Sequence, residues 1–151
     1  MAIELSQKCQ YALRAVFELA RRYNEGPVKI SEVAEAQAIP PRFLENILNQ
    51  LKRDGIVDSR RGKTGGYVLA TQPENLTVGT VIELIQGPLS VVECDGGTPG
   101  EQCPFENDCV FWPLWRKAHK VLRDVYYGET FANLIEKENQ RLAAKTPDYS
   151  I

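Results

Sequence analysis

The sequence of 151 residues predicts a mainly α-helical fold with a small β-hairpin, arranged as a winged helix-turn-helix followed by a long helix. Three observations predict this fold class. Three amphipathic helical segments, the last two separated by a proline-bounded turn, occupy the start of the chain. Two β-rich segments around a glycine-rich turn follow them directly. A long segment with a broad apolar stripe then covers residues 110–128.

The first two helices are predicted from residues that cap or break helices. Ser6 can cap a first helix that continues to about Tyr23, because apolar residues recur along it near the 3.6-residue period. The segment NEGP ends this helix, and residues 28–30 are expected to be extended. Ser31 is expected to cap a second helix, which IPP (39–41) ends because proline cannot continue a helix.

A third helix and a hairpin complete the predicted helix-turn-helix unit. Pro41 fits the first turn of the helix PRFLENILNQLKRD, and Gly55 ends that helix as a left-handed cap. Its buried stripe is predicted to contain Phe43 or Leu44, Ile47, Leu48 and Leu51. The runs IVDSR and GYVLA predict two strands, joined by the turn RGKTGG.

Three further helices are predicted in the second half of the chain. They are a short helix over 75–87, a long helix over 110–128 and a shorter helix over 130–142. The apolar positions of the long helix form a broad stripe of Phe111, Leu114, Trp115, Ala118, Val121, Leu122, Val125 and Tyr126. This is too much apolar surface to leave exposed, so the helix is expected to pack either on its own core or on a second copy.

The composition limits the classes of function. Hydrophobic residues make up 43% and charged residues 25%, which is typical of a globular protein. No apolar run approaches the length of a membrane span, and the start lacks the pattern of a signal peptide, so a cytoplasmic location without membrane contact is expected. One histidine, no nucleophile–base pair and no phosphate loop argue against an enzyme.

The basic charges and the polar face of the third helix together indicate DNA binding. Residues 1–70 carry 11 basic and 8 acidic residues, a net charge of +3, whereas residues 71–151 carry 7 and 12, a net charge of −5. The N-terminal part of a third helix in this fold enters the major groove, where Asn pairs with adenine, Arg with guanine and Glu with cytosine. The candidates are Arg42, Glu45, Asn46 and Asn49 on the helix, and Arg60, Arg61 and Lys63 beside the glycines of the turn. Alternatively, each feature by itself is a solvated face or a soluble turn.

Three cysteines, Cys94, Cys103 and Cys109, lie in the polar segment before the long helix with the spacing C-x8-C-x5-C. A disulfide would leave an odd thiol and is rare in the cytoplasm. Zinc sites usually contain close C-x2–4-C pairs, which this segment lacks. Iron–sulfur clusters accept wider thiolate spacings, so a cluster is favoured, while zinc and redox-active thiols remain alternatives.

The segments LSQKCQYALRAVFELA, IPPRFLENILNQLKRDGIVDSRRGKTGGYVLA and LTVGTVIELIQGP resemble the IscR/NsrR-type iron–sulfur transcription regulators of bacteria, the Rrf2 family. The resemblance spans about residues 3–135. It implies a homodimer on a roughly palindromic operator, with RNA polymerase as a further candidate partner, that responds to cluster status, redox change or nitric oxide. The matching positions imply that Arg61 enters the minor groove and that the major groove is read by Arg42, Phe43, Glu45 and Asn46. The family has different residues at Arg42 and Phe43, so the operator sequence is expected to differ.

The resemblance also divides the chain and implies a cofactor. The expected regions are a winged helix-turn-helix over 1–74, a connecting helix over 75–90, a cluster-binding loop over 91–109, and a dimerisation helix with a C-terminal helix and tail over 110–151. The implied cofactor is a 2Fe-2S or 4Fe-4S cluster on the three cysteines of the loop.

The fourth ligand departs from the family pattern. Trp112 stands where IscR has a ligating histidine, and an indole N–H cannot ligate iron. Gln10 stands where NsrR has an acidic ligand supplied by the partner subunit. Cys9, the neighbour of Gln10, is the candidate fourth ligand across the dimer, since the first turn of a helix favours a thiolate. The alternative is a buried cysteine on the apolar stripe of the first helix.

Overall fold

The N-terminal half of the chain contains three helices. A computed structural model describes residues 4–92, 103–105 and 108–146. Helix α1 spans Gln7–Arg21, α2 spans Ile30–Gln37 and α3 spans Pro41–Arg53. The Ser6 hydroxyl accepts a hydrogen bond from the Cys9 amide at 3.1 Å, which confirms the predicted N-cap of α1.

The start of α2 differs from the prediction. The helix begins at Ile30, after Lys29 as the N-cap, and Ser31 lies inside it. The Glu32 carboxylate accepts a hydrogen bond from the Lys29 amide at 2.9 Å. This reciprocal part of a capping box satisfies the amide that would otherwise lack a partner, so the acidic residue, and not Ser31, sets the start.

A small β-sheet follows α3. Strand β1, Val57–Arg60, pairs antiparallel with β2, Gly66–Leu69, as predicted. Val28 bridges to Tyr67, so the extended residue before α2 forms a third, one-residue edge on β2. Through this bridge the sheet contacts the connection between α1 and α2, and the hairpin is held against the helices.

The helices pack around one main core. The face of α3 that carries Leu44, Ile47, Leu48 and Leu51 is buried, and Phe131 of the last helix is buried in the same cluster. Glu18 is also buried, where it accepts hydrogen bonds from Arg22 at 2.9 Å and from Gln37 at 2.8 Å. These bonds compensate the burial of the carboxylate and link α1 to α2.

The second half of the chain adds a short 3-10 helix and three α-helices. The helix predicted over 75–87 begins at Val78, and a separate 3-10 turn, Pro73–Asn75, precedes it. Helix α4 spans Val78–Gln86, α5 spans Trp112–Tyr127 and α6 spans Phe131–Lys145. Among the described residues, no helix is long and apolar enough to cross a membrane.

The apolar stripe of α5 is divided between two environments. Leu122, Tyr126 and Tyr127 pack on a second apolar cluster with α1 and α4. Phe111, Leu114, Val121 and Val125 are exposed, and along α5 no residue is fully buried. The helix therefore packs only partly on its own chain.

Candidate nucleic-acid interface and cysteine segment

The N-terminal half of α3 presents a polar surface opposite its buried stripe. Arg42, Glu45, Asn46 and Asn49 are all exposed. Their spacing of three and four residues places them on one side of the helix, because 3.6 residues complete a turn. The helix starts at Pro41, whose missing N–H costs nothing at the first position. This face can therefore offer amide, guanidinium and carboxylate groups to base edges.

The turn between β1 and β2 carries the second group of predicted contacts. Arg60, Arg61 and Lys63 are exposed. A Cβ atom at Gly65 would overlap the carbonyl oxygen of Arg60, so only glycine permits this tight turn. The result is a tight, cationic turn whose exposed arginines suit a DNA groove.

Two contacts hold the hairpin against the helices. Lys52, near the C-terminal end of the helix, donates a hydrogen bond to the Ser59 hydroxyl on β1. Gly66 approaches the Val28 carbonyl so closely that a Cβ atom would overlap it. The turn is therefore anchored both to α3 and to the segment that precedes α2.

A group of residues on α1 beside α3 was not identified from the sequence. Gln7, Lys8 and Tyr11 line a cleft of about 390 Å3 together with Phe43, Asn46 and Ile47. The rings of Tyr11 and Phe43 lie 6.4 Å apart, centroid to centroid. Only tertiary packing brings α1 next to α3, and the sequence signal was limited to polar residues at the start of an otherwise apolar helix.

The cysteine segment is only partly described. Cys103 and Cys109 are half-buried free thiols, whereas Cys94 lies outside the described residues. Within the described ranges, no three His, Cys, Asp or Glu side chains converge as metal ligands. Trp112, which replaces the histidine expected from the family pattern, begins α5 three residues after Cys109.

Cys9 lies in an environment that disfavours a thiolate. Its side chain is 0% exposed and packs with Ile82, Leu89 and their apolar neighbours. Burial raises the pKa of the Cys9 thiol to about 11, so the thiol is protonated at neutral pH. Its ligation to a cluster stays a prediction, and it requires that α1 and α4 separate enough to expose the sulfur.

A polar junction connects the start of the cysteine segment to α5. The Glu83 carboxylate on α4 accepts a hydrogen bond from Arg123 at 2.6 Å, another from the Tyr127 hydroxyl and a third from the Leu89 amide at 3.4 Å. Burial by itself would raise the pKa of Glu83, but these bonds and the Arg123 charge outweigh it and hold the pKa below its usual range. The junction therefore contains a carboxylate that stays ionised at neutral pH.

Helix α4 is also hydrogen-bonded to the recognition unit, by which we mean α1 to α3 and the β1–β2 hairpin. Gln50 of α3 donates to the Leu84 carbonyl at 3.1 Å and accepts from Lys8 of α1 at 2.6 Å. Gln86 accepts from the Ser6 amide at 2.8 Å. The C-terminal turn of α4 thus contacts α1, α3 and the segment that leads to the cysteines.

Comparison with known proteins identifies the relatives of this arrangement. Residues 5–137 match the model of the Rrf2 family, described as iron-dependent transcriptional regulators. The transcriptional regulator CymR of Bacillus subtilis is 36% identical over 87% of this chain and 89% of its own length. The regulator IscR of Erwinia tasmaniensis is 30% identical over 90% of this chain and 81% of its own.

A solved structure shares the same fold. It is that of CymR, described as the global cysteine regulator of B. subtilis, and it superposes with a TM-score of 0.76 at 29% identity. The match covers 91% of this chain and 98% of the CymR chain. The resemblance inferred from the sequence segments is thereby confirmed, as is the winged-helix fold class.

Proposed function

The chain belongs to the Rrf2 family of transcriptional regulators, and on that premise we propose that it is a homodimeric operator-binding regulator that senses its signal through an iron–sulfur cluster on the cysteines before α5. The observation that carries DNA reading is the exposure of the polar N-terminal face of α3 together with that of the basic β1–β2 turn. The relatives of this chain are transcriptional regulators and not enzymes, as the sequence predicted.

The two exposed elements supply different kinds of contact. Arg42, Glu45, Asn46 and Asn49 offer the groups that distinguish base edges in the major groove. The cations of the turn neutralise phosphates, and Arg61 enters the adjacent minor groove. Because one such unit reads only a few base pairs, two copies on a palindromic operator supply the specificity.

Helix α5 is the proposed dimer element. Val121 and Val125 are 55% and 62% exposed, and Phe111 and Leu114 continue the apolar surface. Pairing of this face with that of a second copy would bury it and would set the spacing of the two α3 helices.

The cysteines suit an iron–sulfur cluster by their chemistry. Cys94, Cys103 and Cys109 would provide three thiolates, and the two that are described are free thiols with partial solvent access. When bound, a cluster supplies a centre that oxidants or nitric oxide can alter. Cys9 of the partner subunit is the proposed fourth ligand, subject to the exposure of its buried sulfur.

The alternative function is a regulator that uses the same cysteines as thiol or zinc sensors without a cluster. Two observations favour it: the burial of Cys9, and the 36% identity to CymR, a relative described as a cysteine regulator. In this alternative Cys103 and Cys109 would themselves be the reactive groups.

Purification without oxygen separates these alternatives. A cluster protein is expected to show visible sulfide-to-iron absorption with matching iron and sulfide contents, and Cys103→Ala or Cys109→Ala should abolish all three. Undiminished iron and sulfide in Cys9→Ala would remove Cys9 from the ligand set. A colourless protein whose operator affinity changes with a thiol oxidant would instead establish the thiol sensor, and stoichiometric zinc would establish the zinc site.

DNA reading is tested at the turn. Arg61→Ala is expected to weaken operator binding by about 1–3 kcal/mol if its side chain enters a groove. Arg53→Ala is the matched control, because it removes the same charge at the far end of α3. Equal affinities of wild type and Arg61→Ala at several salt concentrations would assign Arg61 to a solvated turn.

A further inference from the structure

We propose that Phe43 and Tyr11 form an apolar notch that receives the 5-methyl group of a thymine in each half of the operator. Phe43 would then contribute to sequence specificity through a non-polar contact, in addition to the hydrogen bonds that the polar residues of α3 make with base edges. The inference rests on the proposed DNA-binding function and assigns a ligand group to the cleft between α1 and α3.

Phe43 does not serve the core of its own chain. Its side chain is 59% exposed, whereas the next residue, Leu44, is 0% exposed and occupies the buried stripe of α3. A single exposed aromatic ring is ordinary on a protein surface. This ring, however, lies in the first turn of the helix that presents the polar reading groups, and it lines the same cleft as Asn46.

Tyr11 provides a fixed second wall. Gln7 donates a hydrogen bond to the Tyr11 hydroxyl at 3.0 Å, and the Arg14 guanidinium lies 5.3 Å from the ring centroid. Arg14 is itself held, because it donates to the carbonyls of Gln37 and Ala38 at the end of α2. Tyr11 is thus ordered before any ligand binds, which lowers the entropy lost on binding.

The lining of the cleft matches one group on a base pair. Tyr11 and Phe43 supply apolar surface above the buried Ile47, and the polar residues Gln7, Lys8 and Asn46 also line the cleft. The thymine methyl is the apolar group that standard bases present in the major groove, and phenylalanine is among the side chains that contact it. Asn46, one turn after Phe43, can pair with an adenine in the same groove.

The cleft is continuous with the proposed DNA-binding face. Asn46 belongs to both. Lys8, which donates a hydrogen bond to Gln50, carries an exposed positive charge that suits the proximity of phosphates. We assign the cleft to duplex DNA because it is lined by the base-reading amide of Asn46, which a small apolar effector would not require.

The test begins with selection of an operator from random duplex DNA by the full-length protein. Each thymine is then replaced by deoxyuridine, which removes only the methyl group. We expect this replacement to lower the affinity of the wild type about 3- to 5-fold at one thymine in each half-site, and the two sensitive thymines should be related by the symmetry of the operator. Phe43→Ala should bind the thymine and deoxyuridine operators equally at that position.

A methyl group on another base provides an independent readout. The sensitive T·A pair is then changed to C·G. Methylation of that cytosine at C5 should raise the operator affinity of the wild type about 3- to 5-fold and should not change the affinity of Phe43→Ala. Phe43→Leu should retain part of the effect. Arg42→Ala, the control, should weaken binding to the methylated and unmethylated operators by the same factor.

The outcomes distinguish this inference from the proposed function. A selected operator without any thymine–deoxyuridine difference, or a difference that persists in folded Phe43→Ala, would overturn the methyl notch and leave DNA reading intact. Failure to select any sequence would overturn both proposals.

Discussion

At the residue scale, the neighbours Phe43 and Leu44 have different roles: Leu44 packs in the core, and the Phe43 ring is exposed for binding. Leu44 is completely buried, while Phe43 faces the cleft beside Tyr11. A step of one residue rotates a side chain by about 100° around the helix. The buried stripe of α3 contains Leu44, Ile47, Leu48 and Leu51, and Phe43 lies outside this stripe. Its ring is therefore available for a ligand.

Truncation of each residue should separate these roles. Leu44→Ala is expected to lower the free energy of unfolding by about 2–5 kcal/mol, because it removes buried methyl groups and leaves a cavity. Phe43→Ala should change it by less than about 0.5 kcal/mol, as is usual at an exposed site. Urea denaturation of both variants measures the difference. Equal losses would place Phe43 in the core.

Cys9 leads to a second prediction at this scale. In protein freed of metal by a chelator, a thiol reagent at pH 8 is expected to modify Cys103 and Cys109 and to leave Cys9 unmodified until denaturant is added. The reason is that burial both blocks access and raises the pKa of the Cys9 thiol to about 11. Peptide mapping by mass spectrometry identifies the labelled sites.

Rapid labelling of Cys9 in the native protein would contradict this prediction. It would show that α1 and α4 open to expose the sulfur, which is the state that ligation requires.

At the element scale, α4 is the junction between the cysteine segment and the recognition unit. Its N-terminus is capped by Thr77, whose hydroxyl accepts from the Thr80 amide at 3.1 Å. Near its C-terminus, the Glu83 carboxylate accepts hydrogen bonds from the Leu89 amide and from Arg123 of α5. The Leu84 carbonyl accepts a hydrogen bond from Gln50 of α3. A shift of the segment before the cysteines would therefore act on α3 through one short helix.

Removal of the Glu83 charge should loosen this junction. At pH 7, Glu83→Gln is expected to lower the melting temperature by a few degrees, from a loss of about 1 kcal/mol, which is modest because the site is partly exposed. Folding lowers the pKa of Glu83 from its ordinary 4.5. The contribution is therefore complete above about pH 4.5 and is lost as the pH falls through the folded-state pKa.

Melting curves from pH 3 to 8 check this expectation. The difference between wild type and Glu83→Gln should shrink below pH 4.5, whereas the exposed control Glu35→Gln should match the wild type throughout. A difference independent of pH would mean that the charge of Glu83 does not contribute.

At the scale of the whole molecule, α5 leaves the chain with an uncovered apolar surface. One side packs on α1 and α4 through Leu122 and Tyr126, and the other exposes Val121 and Val125. A contiguous exposed apolar surface of this kind is typical of a protein–protein contact. A second copy of the chain is the proposed cover.

Negative charges introduced on the exposed side of α5 should dissociate the dimer. The double variant Val121→Glu, Val125→Glu is expected to sediment as a single chain and to lose most of its operator affinity, since one unit then binds one half-site. Arg116→Glu, which alters charge on another face of α5, should remain dimeric. Analytical ultracentrifugation decides, and an unchanged dimer would move the interface away from this face.

The sequence by itself determined the order of the elements, the cap at Ser6, the start of α3 at Pro41 and the polar residues that α3 and the β-turn display. These features follow from local rules of capping, proline geometry and periodicity, which act over a few neighbouring residues. The matched segments were also sufficient to identify the family.

Only the tertiary structure decided which of Phe43 and Leu44 is buried, that Cys9 is enclosed, and that Tyr11 forms a cleft with α3. It also revealed the junction at Glu83, whose partners on α5 lie 40 and 44 residues away along the chain. The physical reason is that periodicity defines which residues share a face of a helix. The rotation and neighbours of that face depend on the packing of elements distant in sequence.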